Sequence, residues 1–141
     1  MKDNIEAYKE TCNTIRHYSN SSFNVRVLSI AQGLGLLTAW GLSFEKGNFY
    51  ILVSISIFGL LFTWLLFRFH MGYFYATTYF FKLASQMEDI LFEEGFRPFH
   101  AYNKEHEKKY EGLMSKITIL NAPFALIGIS FIVTLIISFF R

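Results

Sequence analysis

Apolar residues gather into three runs, and most polar residues lie before and between them. The first run is about residues 23–42, FNVRVLSIAQGLGLLTAWGL. The second is about 49–67, opening FYILVSISIFGLLFTW. The third is about 117–140, ITILNAPFALIGISFIVTLIISFF. About 20 apolar residues in a helix span the ~30 Å of bilayer hydrocarbon, so each run predicts a transmembrane helix. The third run has no charge inside it, whereas the first contains Arg26 and Gln32. The first two are joined by SFEKGN, whose Gly and Asn are turn formers, so they predict a helical hairpin.

The second run does not stop where a span should. Arg68 is the one formal charge in the 33 residues from Phe49 to Phe81. As a helix those residues would be roughly 50 Å long. Beyond Arg68, Phe69, Tyr73, Ala76, Phe80, Leu83, Met87 and Ile90 step by four and three, a coiled-coil-like stripe. Tyr75, Tyr79, Lys82, Gln86, Asp89 and Glu93 fall on the other side. The helix is therefore predicted to leave the bilayer near Arg68 and continue to about Glu94, where Gly95 and Pro98 stop it. Ile5, Tyr8, Cys12 and Ile15 form a similar stripe before the first run, as do His106, Tyr110, Leu113, Ile117 and Leu120 before the third.

Charge sets the direction. Lys2, Lys9, Arg16, Arg26, Arg68, Lys82, Arg97, Lys104, Lys108, Lys109 and Lys116 fall on one side of the three spans, and Lys46 and Arg141 on the other. The positive-inside rule places the N-terminus in the cytoplasm and the C-terminus outside. Arg26, Arg68 and Lys116 become membrane-boundary anchors, their long side chains reaching the headgroups. The predicted fold class is an all-α integral membrane protein, three transmembrane helices extended into a cytoplasmic helical bundle. Its parts are a cytoplasmic amphipathic helix over 1–22 and a transmembrane hairpin over 23–67. Cytoplasmic helices follow at about 68–94 and 103–116, with a turn at 95–102, and the third transmembrane helix covers 117–141.

Composition agrees with this class: 52% of the 141 residues are hydrophobic and only 17% charged. A net charge of +2 with both signs mixed gives no support for nucleic-acid contact. The lone Cys12 reads as a small apolar contact rather than a reactive thiol. His17, His70, His100 and His106 have no metal-site spacing, and there is no H-E-x-x-H, C-x-x-C or G-x-S-x-G. The G-x-G of QGLGLL lies inside a span, with no strand before it. The acid pairs Glu88-Asp89 and Glu93-Glu94 read as a solvated helix end. No catalytic, cofactor-binding or metal residue is predicted, and the chain is not expected to be an enzyme.

Polar and small residues within the spans carry the remaining signal. Gln32 sits near the middle of the first span, and no ionisable residue reaches the middle of any, which argues against a proton relay. Ala31, Gly35 and Ala39 form a small-xxx-small face, and Ser130, Thr134 and Ser138 form another. These faces suit packing within one chain or, alternatively, between subunits, with Gln32, Gly35, Ser130, Thr134 and Ser138 as candidate pore or span-packing residues. The aromatic residues Phe69, Tyr73, Phe74, Tyr75, Tyr79, Phe80 and Phe81 exceed what one narrow stripe needs, so they are also a candidate cytoplasmic interface. The expected partners are the lipid bilayer, further copies of the chain in a homo-oligomer, and a cytoplasmic protein.

The layout of YKETCNTIRHYSN before the first span, FRFHMGYFYATTYFFKLASQMED after the second, and a final span resembles the small multi-spanning membrane effector proteins of bacterial anti-phage defence systems. The resemblance covers nearly the whole chain at the level of layout. Some of those effectors carry an R-x4–6-H nuclease-like motif. The spacings Arg97 to His100 and Arg68 to His70 do not match it, so no nuclease residue carries over. The resemblance implies an oligomer in the bacterial inner membrane that breaches or depolarises it when a cytoplasmic partner signals. The rival expectation is a structural or regulatory membrane subunit that scaffolds a cytoplasmic partner and conducts nothing.

Overall fold

The computed structural model describes residues 2–93, 96–99 and 113–140, with side chains described from residue 3 and, in the last stretch, from residue 121. The described residues form three α-helices: α1 Lys2–Lys46, α2 Phe49–Leu91 and α3 Leu113–Phe139. The predicted cytoplasmic helix at 103–116 lies outside the described residues as far as 112. All three helices are long and apolar enough over part of their length to cross a membrane. At 45 and 43 residues, α1 and α2 also exceed what hydrocarbon requires, by about 35 Å each.

The chain divides into two compact units. One comprises Met1–Ser22 with Met71–Ile117, and the other Phe23–His70 with Thr118–Arg141. We refer to them as the polar and the apolar unit.

In the apolar unit the hairpin is tighter than the predicted SFEKGN loop. Helix α1 runs through Ser43–Lys46, and Gly47 and Asn48 alone make the turn. Gly47 has φ 72°, the left-handed conformation that ends a helix and suits a residue without Cβ. Its N–H donates to the Phe44 carbonyl at 3.2 Å. Asn48 caps α2, its Oδ1 accepting from the Ile51 N–H at 3.3 Å. Two glycines let the helices close up. The Cβ of an alanine at Gly33 would lie 2.8 Å from Ile127, and one at Gly59 2.4 Å from the Phe131 ring. Pro123 lies inside α3, where it removes the bond to the Ile119 carbonyl, a break that membrane helices tolerate.

In the polar unit the apolar stripe follows a straight helix rather than a heptad. Ala84 and Glu88 are buried, while Ile90, on the predicted stripe, is exposed. An unsupercoiled helix drifts ~20° per heptad away from a 3.5-residue repeat, which moves the buried line from 83, 87 and 90 toward 84 and 88. On α1, Thr11 and Ile15 are buried, and Tyr18 stacks on Phe80 with ring centroids 5.7 Å apart. Helix α2 ends at Leu91, before the expected Glu94, because Arg97 turns back on it. The Arg97 Nε–H donates to the Phe92 carbonyl at 2.9 Å, and Nη1 pairs with Asp89 at 3.0 Å.

Candidate functional site

In the apolar unit, hydroxyl side chains follow two patterns. Most turn back on their own helix: Thr38, Ser43, Ser56, Ser130 and Ser138 each donate to the carbonyl four residues earlier. This satisfies each hydroxyl without any partner helix. Ser29 and Thr63 behave differently. Both are almost fully enclosed, at 0% and 4% exposure, and their Oγ and Oγ1 atoms have no hydrogen-bond partner. The same holds for Arg26 Nε, both amide atoms of Gln32, and Asn121 Oδ1.

These groups fall in one half of the unit. On α1, Arg26, Ser29 and Gln32 lie within an arc of about 120°. Helix α2 runs antiparallel to α3: Ser56 meets Thr134, Gly59 meets Phe131, and Phe67 meets Phe124. That register puts Thr63 level with Ile127, the residue Gly33 packs on, so Gln32 and Thr63 share a layer in the middle of the spans. One to two turns nearer the N-terminus of α1 stand Ser29 and Arg26, level with the stretch from Asn121 to Phe124. His70 is enclosed in that region too, its ring stacked on Phe124 at 5.2 Å.

The other half of the unit is closed and paired. The Phe131 ring is completely enclosed against Gly59. Beyond it, the Ser56 and Thr134 hydroxyls lie 3.0 Å apart, and the Trp40 indole N–H donates to Ser138 Oγ at 3.3 Å. The apolar unit thus has an unpaired polar half and a paired half, with Phe131 between them.

The sequence-predicted residues are dispersed across this arrangement. Gln32 is in the unpaired half. Thr134 and Ser138 are buried in the paired half, and Ser130 is half-buried. Gly35 faces outward, with nothing within 4 Å of the position its Cβ would take. Of the boundary anchors, Arg68 is exposed, and Arg26 is half-buried with its guanidinium 5.8 Å from the Phe23 ring centre. Lys116 lies in the first turns of α3, where side chains are not described.

The aromatic residues of the polar unit also separate. Tyr73, Phe74, Phe80 and Phe81 are half-buried. Tyr73 and Phe80 pack on Tyr18, and Phe81 on Phe99. Tyr75 and Tyr79 are exposed, as is Phe69 in the apolar unit. The expected solvation of Glu88 is overturned: the residue is 0% exposed. Its Oε1 accepts from the Tyr8 hydroxyl at 2.7 Å and from the Phe99 N–H at 3.2 Å. Burial, together with the bond to Glu88, raises the Tyr8 hydroxyl above the ordinary phenol range. Tyr8 further packs edge-on against Phe92 and Phe99. Among the described residues no three His, Cys, Asp or Glu side chains come together as a metal site requires.

Sequence reasoning missed Ser29, Gly33, Ser56, Gly59, Thr63 and Asn121. Their residue types are a usable signal, since small and polar residues in a span mark helix contacts. No family model, curated protein or solved structure matches this chain.

Proposed function

We propose that this chain is a membrane-perturbing effector. It assembles as a homo-oligomer in the bacterial inner membrane, with its N-terminus in the cytoplasm and its C-terminus outside. It opens a polar path as its copies assemble; a protein partner engaging its cytoplasmic helices triggers that assembly at low copy number, and at high density the copies assemble unaided. The carrying observation is the layer of Gln32 and Thr63, whose buried polar atoms have no partner in the middle of the spans. In hydrocarbon each such group costs several kcal/mol, and a wet path along that face removes the cost. Exposed Tyr75 and Tyr79 on α2 supply apolar surface for a partner or another copy. A defence or stress system is the setting implied by the resemblance in layout.

The second reading is a non-conducting subunit that scaffolds a cytoplasmic partner. One observation favours it: Thr134 and Ser138, two of the candidate pore residues, are occupied by Ser56 and Trp40 of the same chain. Expression in bacterial cells loaded with a membrane-potential dye separates the two. The effector reading expects depolarisation by the unaltered chain. Gln32→Ala combined with Thr63→Val weakens it severalfold, whereas Ser130→Ala leaves it unchanged. A cell that stays polarised while the chain accumulates in its membrane leaves only the scaffold.

A further inference from the structure

We infer that copies of this chain dock head to tail, the exposed face of α1 around Asn13 and His17 in one copy against the exposed face of α2 around Tyr79 and Lys82 in the next. The inference rests on the homo-oligomer of the reading above and names its contact in the polar unit. Glu10, Asn13, His17 and Asn20 step by three, four and three along α1, and all four are exposed. Tyr75, Tyr79, Lys82 and Gln86 step by four, three and four along α2, and all four are exposed too. Each line lies roughly 160° round its helix from the buried residues, Thr11 and Ile15 on α1 and Ala84 and Glu88 on α2. The two lines therefore look out from opposite sides of this helix pair. Tyr75 and Tyr79 are 62% and 65% exposed, and their hydroxyls have no hydrogen-bond partner among the described residues.

Height and charge select the pairing. Helices α1 and α2 are antiparallel in this unit: the Tyr8 hydroxyl bonds Glu88, and Tyr18 packs on Tyr73 and Phe80. His17 therefore stands at the height of Tyr79, and Glu10 lies about 6 Å along the axis from Lys82, within a lysine's reach. Copies inserted in one membrane with one orientation are related by an axis along its normal, so equal heights meet. Contact between two α2 faces would set Lys82 against Lys82, and contact between two α1 faces Glu10 against Glu10. Both arrangements oppose like charges. The mixed contact sets Glu10 against Lys82, and neither has an ion-pair partner among the described residues. Helix α2 carries no acid from Phe49 to Met87, so its exposed face offers no repulsion to Glu10. Lys9 and Arg16 lie about 80° round α1 from the docking line. The carboxamides of Asn13 and Asn20 and the His17 ring give the tyrosine hydroxyls acceptors. Unlike faces on opposite sides make the contact heterologous, the kind that closes rings.

Cross-linking in bacterial membranes that hold two differently tagged full chains at high density tests this. Cys12, the chain's one cysteine, is changed to Ala in both. One chain then carries His17→Cys and the other Tyr79→Cys, and a short bismaleimide joins neighbouring thiols. A product joining the two tags is expected, with at least fivefold less from either chain expressed alone. Glu10→Lys in the first chain, or Lys82→Glu in the second, should cut the mixed product at least threefold at equal accumulation. The two changes together should restore it. Equal or greater product from the Tyr79→Cys chain alone means that like faces meet, and overturns the inference. So does the absence of the mixed product, or a charge exchange that restores nothing. A potential-sensitive dye in the same cells separates this contact from the effector reading. Cross-linking in cells that stay polarised upholds the contact and removes the effector. Depolarisation without the mixed product upholds the effector and overturns the contact.

Discussion

Gly59→Ala destabilises the apolar unit by roughly 1–3 kcal/mol, while Gly35→Ala leaves it unchanged or stabilises it by about 0.5–1 kcal/mol. Both positions are glycines inside helical spans, and by helix propensity alone both changes should help. Their surroundings decide the sign. At Gly59 the new methyl carbon would sit 2.4 Å from two atoms of the Phe131 ring, well inside contact distance. That ring is 0% exposed, so it has little room to retreat without moving α3. At Gly35 nothing lies within 4 Å. Thermal unfolding in detergent, followed by tryptophan fluorescence, checks the pair. Equal effects of the two substitutions would mean that Phe131 is not seated on Gly59.

Glu88→Ala loosens the polar unit by about 3 kcal/mol, from two hydrogen bonds to a carboxylate at ~1.5 kcal/mol each. The change leaves the Tyr8 hydroxyl and the Phe99 N–H without their acceptor in a buried place. Glu88→Gln keeps an amide oxygen where Oε1 stands, so its loss should be less than half as large. Hydrogen exchange of the α1 amides around Tyr8 checks this. Faster exchange is expected in Glu88→Ala and near-normal exchange in Glu88→Gln. Normal exchange in both would contradict a role for the carboxylate in tying the segment at 96–99 to α1 and α2.

The three long apolar helices and the hairpin were legible because apolar length and a Gly-Asn turn are local signals. Gly47 and Asn48 do what their residue types suggest. Which face of each span turns inward was not legible. A helix apolar all round has no amphipathic stripe to orient it, so Gly33, Gly35 and Gly59 look alike in sequence. Only the neighbouring helices distinguish Gly59, which seats Phe131, from Gly35, which faces outward. The Ser130, Thr134 and Ser138 row was visible as a row, but its occupation by Ser56 and Trp40 depends on residues 78 and 98 positions away. Glu88 was misread for the same reason. An acid near a helix end looks solvated unless one knows that Tyr8, 80 residues earlier, covers it. In the polar unit the 4-3 spacing gave the direction of the stripe but not its drift over four turns.

Reconstitution of the purified chain into liposomes holding a potassium gradient, with a potential-sensitive dye as the readout, tests the central claim most directly. The unaltered chain is predicted to collapse the gradient above a threshold protein-to-lipid ratio, as an assembling pore must. The doubly substituted Gln32→Ala, Thr63→Val chain should hold it severalfold longer at equal incorporation. A gradient that persists at every ratio, with the chain inserted and folded, would contradict the effector reading.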